Sequence, residues 1–154
     1  PHIWNSTTNA SIIADNICKA LCQLDTVNQS YYQERTDSLK QIIVQTDRNI
    51  RSFLQKADST FLIYHPALSY FARDYGMKQI SIEEGGKEPS PSNLKTLIDT
   101  CRREGVRVIF VQQEFDQRNA QLIASELGIQ VIPINPLSYD WQEEMIRVAE
   151  SLMK

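Results

Sequence analysis

After Thr60 the chain alternates short apolar stretches with helix-patterned ones, four times in succession. Phe61 to Tyr64, Gln79 to Ile82, Val106 to Val111 and Gln130 to Ile134 read as strands. Ala67 to Tyr75, Ser92 to Glu104, Asp116 to Leu127 and Trp141 to Met153 read as the helices that follow them. Strands this apolar must bury both faces, and a strand that returns through a helix pairs in parallel. Gly76, Gly105 and Gly128 fall where the helices should stop, as glycines at helix C-termini do. Pro66 suits a first helical position and cannot sit inside a strand. The expected fold class is therefore α/β, a four-stranded parallel sheet flanked by helices.

The first sixty residues have a different texture. Ser6-Thr7-Thr8 offers an N-cap, and Ala10, Ile13, Ala14, Ile17, Leu21 and Leu24 then recur at helical spacing. Asp25-Thr26 reads as the cap of a second helix. Val27, Tyr31, Leu39, Ile42, Ile43, Ile50, Phe53 and Leu54 keep an apolar stripe on it, with no Gly or Pro before Asp58-Ser59. From Val27 to Lys56 that is a rod of about 45 Å. The stripe does not hold a strict a/d repeat, so a spine packed on a domain or joining two is expected rather than a coiled coil.

A chain of 154 residues suffices for one domain with a real core and a helical extension. It begins at Pro1 with no methionine before Met77, so an upstream segment is expected, and any signal peptide or lipid anchor would lie there. Apolar runs such as Val106 to Val111 are too short to cross a bilayer. The net charge of −3, with basic residues scattered, argues against a nucleic-acid surface. Of three cysteines, Cys18 and Cys22 stand four apart on the first helix and Cys101 lies far off, which implies no disulfide framework. Two thiols one helical turn apart can bind metal. With no further Cys or His nearby, they are expected instead to act as small buried hydrophobes.

In a parallel α/β domain the carboxyl ends of the strands share one edge, where ligands bind. That edge collects His65, then Glu83-Glu84-Gly85-Gly86, then Gln112-Gln113-Glu114, then Asn135-Pro136. His65 and His2 are the only histidines in the chain, and imidazole is the commonest protein ligand for zinc and related metals. On position alone His65 as a ligand and His65 as a helix-start residue are even. Glu83 and Glu84 are expected in a solvated loop, because Gly85-Gly86-Lys87 follow at once. That run is not a phosphate loop, for it lacks the upstream glycine and a Ser/Thr after the lysine. The chain contains no Gly-x-Ser-x-Gly elbow, no His-Glu-x-x-His helix and no Gly-x-Gly-x-x-Gly turn. His65 as a general base with Glu114 or Asp140 has nothing in the sequence to orient it, so catalysis is the weaker case.

The string Pro1-His2-Ile3-Trp4-Asn5-Ser6 resembles the Asp-Pro-His-x-Trp-x-Ser-Pro motif of the zinc and manganese ABC-transporter solute-binding proteins. Tyr64-His65-Pro66-Ala67-Leu68-Ser69-Tyr70-Phe71-Ala72-Arg73-Asp74-Tyr75-Gly76 resembles that family's second-lobe histidine motif. Glu88-Pro89-Ser90-Pro91, Val108-Ile109-Phe110-Val111-Gln112, Pro136-Leu137 and Trp141 follow in the family's order and spacing. The resemblance implies two α/β lobes joined by a long helix, with the metal held between them. Residues 1–26 then carry the end of an N-terminal lobe and the first helix, 27–58 the linking helix, and 59–154 the C-terminal lobe. His2 and His65 carry over as metal ligands. The position that often holds a late carboxylate is Asn135, a poorer ligand; Asp140 is a weaker match for the same role. On that pattern the N-terminal lobe and its histidine are expected to lie outside these 154 residues.

What the resemblance implies is a metal-binding component of an ABC transporter, not an enzyme. It would capture the ion in the periplasm or elsewhere outside the cytoplasm, with a lipid anchor compatible, and deliver it to the permease. Zinc is the expected cargo and manganese the alternative, since losing a carboxylate disfavours the metal that prefers oxygen. With two imidazoles, this chain by itself is expected to bind metal weakly or not at all. Its expected partners are the permease, the missing lobe and a second copy of the chain, with no nucleic acid. Two competing readings are a stand-alone α/β interaction or adhesion module and a small hydrolase using His65.

Overall fold

The computed structural model describes residues 2–83, 85–115 and 117–153. Helix α1, Thr7–Leu24, starts as expected: the Ser6 hydroxyl accepts from the Asn9 N–H and so satisfies one of the orphan donors of the first turn. The second helix starts later than Val27. The Asp25 carboxylate accepts from Asn28 Nδ2 at 2.7 Å and Tyr32 Oη at 2.8 Å, and Thr26–Asn28 winds into a tight 3-10 turn beneath it. Helix α2 then runs Gln29–Leu54, 26 residues or about 39 Å. It passes Thr46 unbroken, the hydroxyl there bonding back to the Ile42 carbonyl at 2.8 Å.

The sheet consists of β1 (Thr60–Ile63), β2 (Lys78–Ser81), β3 (Val108–Gln112) and β4 (Gln130–Ile134) in the order β2-β1-β3-β4. Every pairing is parallel, with Phe61 opposite Gln79, Leu62 opposite Ile109 and Phe110 opposite Ile132. The crossovers contain α3 (Ser69–Asp74), α4 (Pro91–Arg103) and α5 (Arg118–Leu127), and α6 (Trp141–Glu150) follows β4. Successive strand residues face opposite ways, and the core is accordingly double. Phe61, Ile63 and Phe110 pack with Ile50 of α2, Phe71 of α3, and Met145 and Val148 of α6. Leu62, Ile109 and Val111 pack with Cys101 of α4 and Ile123 of α5. Each such fully buried side chain contributes about 1.5–3 kcal/mol.

Several boundaries move for local reasons. Val106 does not open β3, because its N–H donates back to the Cys101 carbonyl at 3.0 Å while Gly105 takes φ +66°. That closure of α4 needs a left-handed residue and keeps Val106 in the helix cap. Pro66 is not a first helical residue: α3 begins three residues later, after turns in which Ala67 N–H donates to the His65 carbonyl and Leu68 N–H to Gln79 Oε1. The expected start of the helix at Asp116 lies outside the described residues, as does the Glu84 expectation. Residues 151–153 leave the helical pattern, and Met153 bridges to Ala57.

Candidate metal centre

From β1 the chain moves outward to β2 on one side, then crosses back to β3 on the other side of β1 and moves outward again to β4. Such a switch point opens a crevice at the carboxyl ends of the two diverging strands. His65 stands there. The Tyr64 N–H continues the ladder to the Phe110 carbonyl at 2.9 Å. The buried Gln112 then holds the His65 backbone, its Nε2 donating to the His65 carbonyl at 2.8 Å and its Oε1 accepting the His65 N–H. Phe115 stacks on the imidazole, ring centres 5.5 Å apart and planes 14° off parallel.

Glu83 is not in a solvated loop. It is buried, and its Oε1 lies 2.8 Å from His65 Nδ1. The register explains this: Ile63 pairs with Ser81, so the second residue past β1 meets the second residue past β2. The Glu83 N–H confirms the alignment by donating to the Tyr64 carbonyl. With the carboxylate accepting, Nδ1 carries the ring hydrogen and Nε2 keeps its lone pair for a ligand. Of the groups considered for orienting His65, neither Glu114 nor Asp140 does so; Glu83 does. Gly85-Gly86-Lys87 concealed it, whereas the equal overhang of two parallel strands was a signal that could have found it.

His2 reaches the same place from the other end of the chain. Its ring centre is 5.0 Å from that of His65, with planes at 73°. Two imidazoles on one tetrahedral ion, with bonds of about 2.0–2.1 Å, have ring centres roughly 5 Å apart. His2 has φ +61°, the one positive value outside glycine among the described residues. A strained backbone persists only where its surroundings over-determine it, and here they do. Asn5 N–H donates to the His2 carbonyl, and Asn5 Nδ2 donates to the Ala67 carbonyl at 3.1 Å. Trp4 Nε1 donates to the Pro136 carbonyl at 2.8 Å, and Trp141 Nε1 donates to the Trp4 carbonyl at 2.9 Å. Below them Ser6 Oγ donates to Asp74. Desolvation first, and then the neighbouring His65, holds the His2 imidazole below its ordinary value. That favours the neutral, ligating form.

Asn135 and Asp140 are exposed. Trp4 ties the loop of Asn135 to the His2 segment through Pro136, but the Asn135 Oδ1 accepts from Leu137 N–H at 3.2 Å. Asp140 precedes α6 as its N-cap residue and makes no side-chain cap bond. Among the described residues no three His, Cys, Asp or Glu form a group that would hold a metal. What the chain gathers is therefore two imidazoles, one of them braced by a buried carboxylate.

The family model for the periplasmic zinc-uptake complex component A (ZnuA) matches residues 1–154. The chain belongs to this family. The family is one of zinc-uptake components rather than enzymes. The high-affinity zinc uptake system protein ZnuA of Bacillus subtilis (strain 168) is 29% identical over 147 residues, which are 94% of this chain and 46% of that protein. The chain thus spans about half the length of this curated relative. A crystal structure of ZnuA superposes with a TM-score of 0.94 at 34% identity, covering 98% of this chain and 60% of that one. The laminin-binding protein Lmb of Streptococcus agalactiae, described as bifunctional with adhesin and metal transporting activity, gives 0.88 at 28% identity, covering 100% of this chain and 65% of that one.

Proposed function

We propose that this chain is the C-terminal lobe and linking helix of an extracytoplasmic zinc-binding protein that captures the ion and delivers it to a membrane ABC permease. The observation that carries the reading is the pair of imidazoles, 5.0 Å apart at the switch point of a family-matched fold. His2 and His65 each give zinc a nitrogen. Glu83 fixes the tautomer and angle of His65, and the tethers from Trp4 to Ser6 hold His2 in reach. Zinc takes four ligands, so the remainder come from solvent and from a second lobe. Asn135 and Asp140 are the candidates on this side of the cleft. Nitrogen donors favour zinc over manganese, which prefers oxygen.

In this reading residues 1–26 end the first lobe, 27–58 link the lobes and 59–154 form the second. No helix among the described residues is long and apolar enough to cross a membrane, which fits a protein that meets its permease from outside the bilayer. The likeness to Lmb favours one second reading, an adhesion role carried by the same fold.

The test is zinc titration, with manganese in competition, of the full-length protein and its His65→Ala variant. Removing one nitrogen from a rim position should lower zinc affinity by orders of magnitude while leaving the fold intact. Unchanged zinc binding in His65→Ala would overturn the assignment and leave the adhesion reading standing.

A further inference from the structure

Cys18 and Cys22 project from successive turns of α1 with their sulfurs 4.0 Å apart, both free and both half-exposed. The expectation that Cys18 and Cys22 act as small buried hydrophobes fails, because both are half-exposed; the cysteine buried in the core is Cys101. Their surroundings are built rather than loose. Gln29 Nε2 reaches back from α2 to the Cys22 carbonyl at 2.9 Å, and the Cys22 sulfur lies 3.8 Å from the Gln29 carbonyl. Asp25 collects Asn28 and Tyr32 beside them. A dithiol is thus presented to solvent on a hairpin tip whose backbone is already fixed. It lies roughly 16 and 22 Å along α1 from Thr7, well away from the histidines.

We propose that Cys18 and Cys22 form a second metal site, separate from the histidine pair, that takes one monovalent copper ion as a bis-thiolate. Geometry admits both copper and zinc, and ligand number decides between them. Sulfurs 4.0 Å apart, each about 2.3 Å from a zinc ion, subtend about 120° there, so zinc can touch both. Zinc, however, closes a structural site with four ligands, and among the described residues no third His, Cys, Asp or Glu completes a group. Monovalent copper is soft, is selected by thiolates, and is satisfied by two of them. On binding, each thiol gives its proton to solvent, two sulfur–copper bonds form, and no electron is transferred. Two neutral thiols and one cation become a singly charged anionic complex and two released protons.

The experiment is anaerobic titration of the protein with monovalent copper, in competition with a chromophoric copper(I) chelator and with a phosphine reductant present. The variants are Cys18→Ser, Cys22→Ser, the double serine variant, and His2→Ala/His65→Ala. The wild-type chain should withdraw one equivalent from the chelator and develop a thiolate-to-copper absorption band. Either serine variant should lose both, with helix content unchanged by circular dichroism, and the double alanine variant should retain both. Copper uptake by the double serine variant equal to wild type, or none by the wild type, would overturn the proposal. So would a zinc equivalent that survives loss of both histidines and disappears with the cysteines. These readouts are independent of zinc transport and can fail without touching the histidine assignment.

Discussion

His65 Nδ1 and Glu83 Oε1 lie 2.8 Å apart across the ends of two parallel strands, with the Glu83 side chain only 9% exposed. A carboxylate in this position orients a ligating imidazole, and losing such a partner typically costs about 10–100-fold in metal affinity. Glu83→Ala should therefore weaken zinc binding by about that factor. Glu83→Gln should do less harm, because the amide oxygen still accepts from Nδ1–H. Calorimetric titration of both variants beside His65→Ala checks the order. Affinities indistinguishable from wild type in both would show that Glu83 does not orient the ligand.

Acid should loosen the join between the helical hairpin and the sheet domain. Burial pushes the Asp47 carboxyl upward, but hydrogen bonds from Arg51, Tyr75 and Thr7 outweigh it and hold the group below its usual range. At Asp74 burial is likewise overcome by Ser6 and Arg73. A carboxyl depressed in the folded state stabilises it fully above the unfolded pKa and less as pH falls through the folded one. Stability from these groups should thus be flat from neutral pH down to the ordinary carboxylate range and decline below it. Urea midpoints measured across that range should show the decline in wild type and a shallower one in Asp47→Asn/Asp74→Asn. Equal slopes would remove these groups as its source.

The exposed face of the hairpin makes a prediction about association. Ile12 and Ile17 remain 53% and 55% exposed, and Leu24 and Val27 almost wholly so. Large apolar side chains left this exposed are candidates for cover by a partner. If a first lobe covers them in the whole protein, as proposed above, residues 1–154 alone should self-associate, and Ile12→Lys/Ile17→Lys should reduce that. Sedimentation of the wild-type chain as a monomer at high concentration would count decisively against it.

The alternation of apolar strands with glycine-ended helices was enough to read the parallel sheet, because burial on both faces leaves little freedom in what a strand can contain. Helix limits were less legible. Asp25 captures Asn28 and Tyr32 to delay α2, and Gln79 takes the Leu68 N–H to shorten α3; both are side-chain bonds that periodicity does not encode. At the site, His2 and His65 stood out by motif and strand-end position. Glu83 did not, since its role comes from register between strands 18 residues apart, while its own neighbours Gly85 and Gly86 suggest only a loop. The exposure of the cysteine pair is illegible in the sequence for a related reason. Helical spacing puts Cys18 and Cys22 on one face, but which face is buried depends on how α1 packs against α2.

Trp141 should act on the metal through His2 without touching it. Its indole N–H donates to the Trp4 carbonyl, while the Trp4 indole donates to the Pro136 carbonyl. The two tryptophans thereby clamp the segment that keeps His2 at φ +61°. Trp141→Phe retains most of the packing and removes one donor, which should cost about 0.5–1.5 kcal/mol of stability. A freed segment lets His2 relax from its left-handed backbone, so zinc should dissociate faster in this variant than the stability loss alone explains. Comparing zinc off-rates of wild type, Trp141→Phe, His2→Ala and the double variant separates the two effects. If the tryptophan change slows or speeds release equally with and without the imidazole, the clamp acts on the fold alone and not on the ligand.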